Sequence, residues 1–192
     1  VLSVALARRE GVPGIQILLL QWITIPYIAA GLIAWARRPA SRLGPLMVGG
    51  GFATGLVCLQ FAENDLLSTV GDLFDILAAA IFLHVTLAFP SGRLRSRAEV
   101  ALVAATYVAA VGPQVAKMML GAQQEVWDDP NNLLAVSSHP DASMDVERVQ
   151  LIAVSAFCLA AVVLLALRRR DAGRPRRGWV ALLPECFAAG LV

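Results

Sequence analysis

Asp72, Asp75 and His84 are the residues of this chain best placed to do chemistry, because all three fall inside one long apolar stretch, Leu66–Phe89. Ionisable side chains are costly within a bilayer and mark functional positions there by default. Asp72 and Asp75 stand three residues apart, so a helix puts them on one face. Such a pair can take up a proton, bind a cation or contact a ligand, and so bias helix packing. The plainer reading leaves both at the outer interface, hydrated or paired. His84 follows Asp75 by nine residues, about 900° of rotation and about 13 Å of rise. An unbroken helix therefore keeps the two on opposite faces. His84 is expected to be an interhelical hydrogen-bonding group rather than a metal or haem ligand.

Other chemistry is not signalled. There is no nucleophile–base arrangement, no glycine-rich phosphate loop and no cluster with metal-ligand spacing, so no catalytic, cofactor or metal residue is assigned. Cys58, Cys158 and Cys186 all lie in apolar runs and read as inert, small packing residues. His139 has no Cys, Asp or Glu around it at metal-site spacing and reads as exposed.

The elements that must position these residues are membrane helices. Of 192 residues, 58% are hydrophobic and 16% charged, with a mean hydropathy of +0.68. Soluble domains run nearer 45–50% apolar and about 25% charged. A bilayer core needs about 20 apolar residues per helix, and helices satisfy their own backbone in lipid. The expected fold is all-α: a polytopic transmembrane helical bundle with five full spans and a truncated sixth. The spans are Ile15–Ala36, Leu43–Ala62, Leu66–Phe89, Ala101–Leu120, Val149–Leu167 and the cut-off Trp179–Val192, with residues 121–148 forming an acidic outer loop. Pro26 and the Gly112-Pro113 pair predict kinks. The Gly49-Gly50-Gly51 run and the Gly51-x-x-x-Gly55 spacing predict close helix contact. The stretch Ile76–Phe89 alone gives only about 21 Å of helix. The third span must therefore include the aspartates, in its outer half or near the interface.

The turns carry the charge. Arg37, Arg38 and Arg42 close the first span, and Arg168, Arg169 and Arg170 open the most basic loop. Between the third and fourth spans, Pro90 stops a helix near Phe89, Ser91 and Gly92 turn the chain, and Arg93, Arg95 and Arg97 follow. Loops 37–42, 93–99 and 168–177 hold 12 of the 16 basic residues, whereas the alternate connections hold Arg148 and Lys117, read as snorkelling outward. The positive-inside rule places the three basic loops in the cytoplasm and the N-terminus outside, with Arg8 and Arg9 dissenting. The lipid bilayer is the implied partner, and these short clusters do not point to nucleic acid. No cleavable signal peptide is read at the start. The opening Val1 and the broken-off last run lead us to expect a fragment of a longer chain.

The string Leu87-Ala88-Phe89-Pro90-Ser91-Gly92-Arg93-Leu94 resembles a signature in the membrane-embedded N-terminal regions of bacterial, especially actinobacterial, sensor histidine kinases. The stretch Trp35–Pro39 with Arg42-Leu43-Gly44, the segment Asn132–Val136, the arginine-rich loop and the Trp-containing last run resemble the same family in the same order. The resemblance runs from about residue 35 to the end. It implies the signal-input region of a two-component system in the bacterial cell membrane. It further implies a homodimer formed through downstream domains, ATP and Mg2+ used by those domains, and a response-regulator partner. The phospho-accepting His and the ATP-binding boxes of such a kinase are not among these residues, so the piece itself is not expected to phosphorylate anything. Two other readings stay open. One is a transporter or channel subunit with Asp72, Asp75 and His84 along a polar path; the other is a non-catalytic membrane scaffold.

Overall fold

A computed structural model of the chain describes residues 14–62, 64–121, 132–137 and 139–171. Every regular element among them is helical: α1 Gly14–Arg37, α2 Leu43–Val57 running into a 3-10 turn Cys58–Phe61, α3 Asp65–Phe74, α4 Leu77–Ala88, α5 Arg97–Met119 and α6 Pro140–Asp171. Among the described residues, four stretches are long and apolar enough to cross a membrane: Leu43–Phe61, Asp65–Ala88, Arg97–Met119 and Pro140–Arg168. The expected sixth span, 179–192, lies outside the described residues, as do Cys186 and the Arg8-Arg9 pair.

Helices α1 and α2 form a hairpin held by small residues. Apolar side chains gain little from leaving lipid for one another, so close backbone approach has to supply the contact. A Cβ at Gly44 would sit 2.6 Å from Trp35 Cβ, and one at Gly31 would sit 2.9 Å from Met47 Cβ. Gly50 and Gly51 abut Ile81 and Ile28, while Gly49 faces open space. The glycine run therefore packs helices within this chain. Helices α4, α5 and α6 share the main core, Leu83, Leu87, Val103, Val154, Cys158, Ala161 and Leu165. Cys58 and Cys158 are buried.

Three expectations change. The third span is not one helix, because α3 ends at Phe74 and α4 starts at Leu77. The outer loop is shorter than 121–148, since α6 begins at Pro140 with Asp141 in its first turn. Arg168, Arg169 and Arg170 belong to the same helix, which runs on to Asp171, and not to a loop. Pro26 and Pro113 both sit inside helices that continue past them.

Caps explain the remaining boundaries. The Asn64 side chain accepts from the N–H groups of Leu66 and Leu67, and Ser96 Oγ accepts from Glu99 N at 3.2 Å. Helix α4 stops at Ala88 before the cis Phe89–Pro90 peptide. Gly92 then adopts φ +72°, a conformation costly for any residue with a Cβ. Its missing side chain also leaves room for the backbone of Arg42 and Leu43, and Ser41 Oγ donates to Ser91 O at 3.2 Å. The two arginine-bearing turns are thereby docked on each other. At the opposite end, Val136 N and Ser137 N both donate to Met119 O, His139 N donates to Leu120 O, and Asn132 Nδ2 donates to Met118 O. The segment Asn132–Val136 thus caps the carbonyl end of α5.

Candidate functional site

The polar centre is built where the third span breaks. Neither Gly nor Pro stands at Asp75-Ile76, so the break needs another cause. Gln114 of α5 supplies it: its Nε2 donates to Asp72 O at 2.6 Å, while Asp75 N reaches the same carbonyl at 3.2 Å. A side-chain amide from a neighbouring helix has entered the hydrogen-bond ladder, and the chain restarts at Leu77.

Lys117 lies one turn beyond Gln114 on α5. Instead of snorkelling outward it is buried, with Nζ 3.7 Å from Glu147 Oε1 on α6. The physical reason is that Glu147 belongs to α6, which carries it alongside α5, and not to a loop. One turn past Glu147, Gln150 Nε2 donates to Ala110 O at 2.8 Å, and Ser143 Oγ donates to Lys117 O at 3.5 Å. Both glutamines spend their amide N–H on a neighbouring backbone carbonyl. Among the described residues their buried Oε1 atoms have no hydrogen-bond partner.

His84 is not part of this cluster. Its Nδ1 stands 3.2 Å from Tyr107 Oη, and the two rings meet edge to face at 5.9 Å between centroids. It bridges α4 and α5 as an interhelical hydrogen-bonding group. The structure therefore brings Gln114 to the break at Asp75 and Lys117 to Glu147, and leaves His84 elsewhere.

A second polar centre closes the arginine end. Arg168 of α6 pairs with Glu99 of α5 through Nε to Oε1 at 2.8 Å and through Nη2 to Oε2. Its Nη1 donates to Leu87 O at 2.9 Å, in the last turn of α4. Glu99, 4% exposed, also accepts Arg95 N at 2.6 Å. Arg37, Arg38, Arg42, Arg93, Arg95, Arg97 and Arg170 are exposed around this clasp. Glu99 was not singled out from sequence, although Ser96-x-x-Glu99 has the spacing of a helix-start capping pair.

The chain matches no protein-family profile, no curated protein and no solved structure. The two polar centres join the same pair of helices. Glu99 and Lys117 are about 27 Å apart along α5, and Glu147 and Arg168 about 31 Å apart along α6, at 1.5 Å per residue. A bilayer core is about 30 Å thick, so the two ion pairs bracket one membrane thickness. Among the described residues no group of three or more His, Cys, Asp or Glu is placed to hold a metal ion. The arrangement can hold or release charge at one end of α5–α6 and lock the helices at the other.

Proposed function

We propose that this chain is the membrane-embedded signal-input region of a two-component sensor histidine kinase in a bacterial cell membrane. In this reading α1 is a further span, residues 179–192 begin another, and the arginine end faces the cytoplasm. The acidic end receives the stimulus. Helix α6 shifts against α5, and a helix beyond this piece passes that bias to catalytic domains that dimerise, use ATP and Mg2+, and phosphorylate a response regulator.

The observation that carries this reading is the clasp of Arg168 on Glu99 and Leu87 O. Leu87 opens the Leu-Ala-Phe-Pro-Ser-Gly-Arg-Leu string on which the family resemblance rests. The clasp ties that corner to the helix leading on toward the basic run, which is where a signal leaving the bundle would pass. A two-state packing of α6 against α5 needs a contact that differs between states, and a buried ion pair at the exit supplies one.

The test uses the intact protein in lipid nanodiscs with labelled ATP. Acid-labile, base-stable phosphoryl label on the chain is expected, at a rate altered several-fold by Glu99→Gln. Absence of phosphohistidine in intact protein with lipid, ATP and Mg2+ would overturn the reading. A transporter role is the second reading, favoured by the acidic break at Asp75, since discontinuous helices often carry ion sites. It requires flux across liposomes that falls with Asp75→Asn.

A further inference from the structure

The geometry points to a binding site for the headgroup of an anionic phospholipid where the two arginine-bearing turns dock, centred on Arg42 and Arg93. Each turn is braced from within. Arg38 N donates to Ala34 O at 3.0 Å, Ser41 N to Arg38 O at 2.9 Å and Leu43 N to Ser41 Oγ at 3.3 Å. In the facing turn, Gly92 N donates to Ala88 O at 2.8 Å and Arg93 N to Ser91 Oγ at 3.4 Å. The hydrogen bond from Ser41 to Ser91, fifty residues apart in the chain, then locks the two together. A Cβ at Gly92 would sit 2.7 Å from Arg42 C and 2.9 Å from Arg42 N. Arg93 is the next residue, so ordinary backbone dimensions keep the Cα atoms of Arg42 and Arg93 within about 10 Å. Both side chains are exposed, with those of Arg38 and Arg95 beside them in sequence.

A guanidinium is a planar fork that matches two phosphate oxygens, and two guanidinium groups held close repel until an anion lies between them. Glu99 is the only acidic residue in the stretches 34–46 and 86–101. It is buried, with its oxygens on Arg168 and Arg95 N. The occupant is a lipid because the corner adjoins apolar surface. Trp35, two residues before Arg37, and Val100, three residues after Arg97, are both exposed. An amphiphile satisfies both surfaces at once, with its phosphate on the arginines and its chains along the helix sides. A zwitterionic headgroup sets its own amine against the phosphate, so a net-anionic one gains more from the arginines. Arg95 N also holds Glu99, so this site and the clasp on Arg168 share one turn.

The test is native mass spectrometry of the intact protein released from detergent micelles that hold equal amounts of phosphatidylglycerol and phosphatidylcholine. Retained phosphatidylglycerol is expected to exceed phosphatidylcholine by about tenfold. The excess should disappear when Arg42→Gln and Arg93→Gln are combined, and persist in Arg148→Gln, at the opposite end of the bundle. Gly92→Ala keeps every arginine but drives a Cβ into the Arg42 backbone, so it should lose most of the excess as well. Equal retention of the two lipids by the native protein, or an unchanged excess in the double variant, would overturn the proposal. A full excess in Gly92→Ala would reduce the effect to diffuse charge attraction and overturn it too. Displacement of the lipid by inorganic phosphate would assign the arginines to a soluble anion, with the same consequence. No phosphorylation enters the readout, so the site and the kinase reading can fail separately.

Discussion

Glu99 and Arg168, sixty-nine residues apart in the chain, meet so that both carboxylate oxygens of one engage the guanidinium of the other. The same guanidinium holds Leu87 O, and the same carboxylate holds Arg95 N. Three helix ends and one turn are therefore fixed by two side chains. Arginine suits this place because its planar fork can serve a carboxylate and a carbonyl at once.

Breaking that contact from one side should cost more than an exposed ion pair, because the remaining charge stays buried. Arg168→Gln and Glu99→Gln should each lose about 3 kcal/mol of stability. Arg168→Lys should fall between them and the native protein, because it keeps charge but not the fork. Thermal unfolding in detergent micelles checks the order.

The glycines of α2 give a contrast within one helix. Gly44→Val should separate α1 from α2, since even a Cβ would lie 2.6 Å from Trp35 Cβ. Gly49→Ala meets nothing within 4 Å and should change stability by no more than about 0.5 kcal/mol. Unfolding temperatures of the two variants, measured side by side, decide it.

Removing the donor that opens the third span should change its local dynamics. Gln114→Leu takes the amide away from Asp72 O, at a cost of about 1 kcal/mol or more. Amide exchange at residues 72–79 should change in that variant, while exchange in α1 stays as it was. Unchanged exchange at 72–79 would mean that another contact makes the break.

Tyr107→Phe removes the hydroxyl beside His84 Nδ1. Interhelical hydrogen bonds in membranes are worth about 0.6 kcal/mol on average, and a loss of about that size is expected. The His84 ring signal in NMR should shift, while the Asp75 carboxyl signal should not.

Much of this architecture is legible in composition and punctuation. The stop near Phe89 follows from Pro90, and the turn from Ser91-Gly92. The close α1–α2 approach follows from the glycine run, and the arginine positions mark one end of the bundle. What escaped was made by distant partners. The break at Asp75 has no local breaker and depends on an amide 42 residues away. Lys117 is buried because its partner Glu147 stands on a helix whose first two turns are polar and acidic, a composition that reads as loop. Arg168 belongs to a helix for the same reason in reverse, because three consecutive arginines look like a connection until Glu99 is placed beside them.

The most direct measurement is the sidedness of two exposed positions, one toward each end of the α5–α6 pair. Single cysteines at Ser91 and Ala142, in a background lacking Cys58, Cys158 and Cys186, are exposed to a membrane-impermeant maleimide in sealed right-side-out vesicles. Ala142→Cys should label at once, and Ser91→Cys only after the vesicles are permeabilised. Labelling of both positions from the same face would contradict a bundle whose α5–α6 pair is pinned at opposite surfaces of one bilayer.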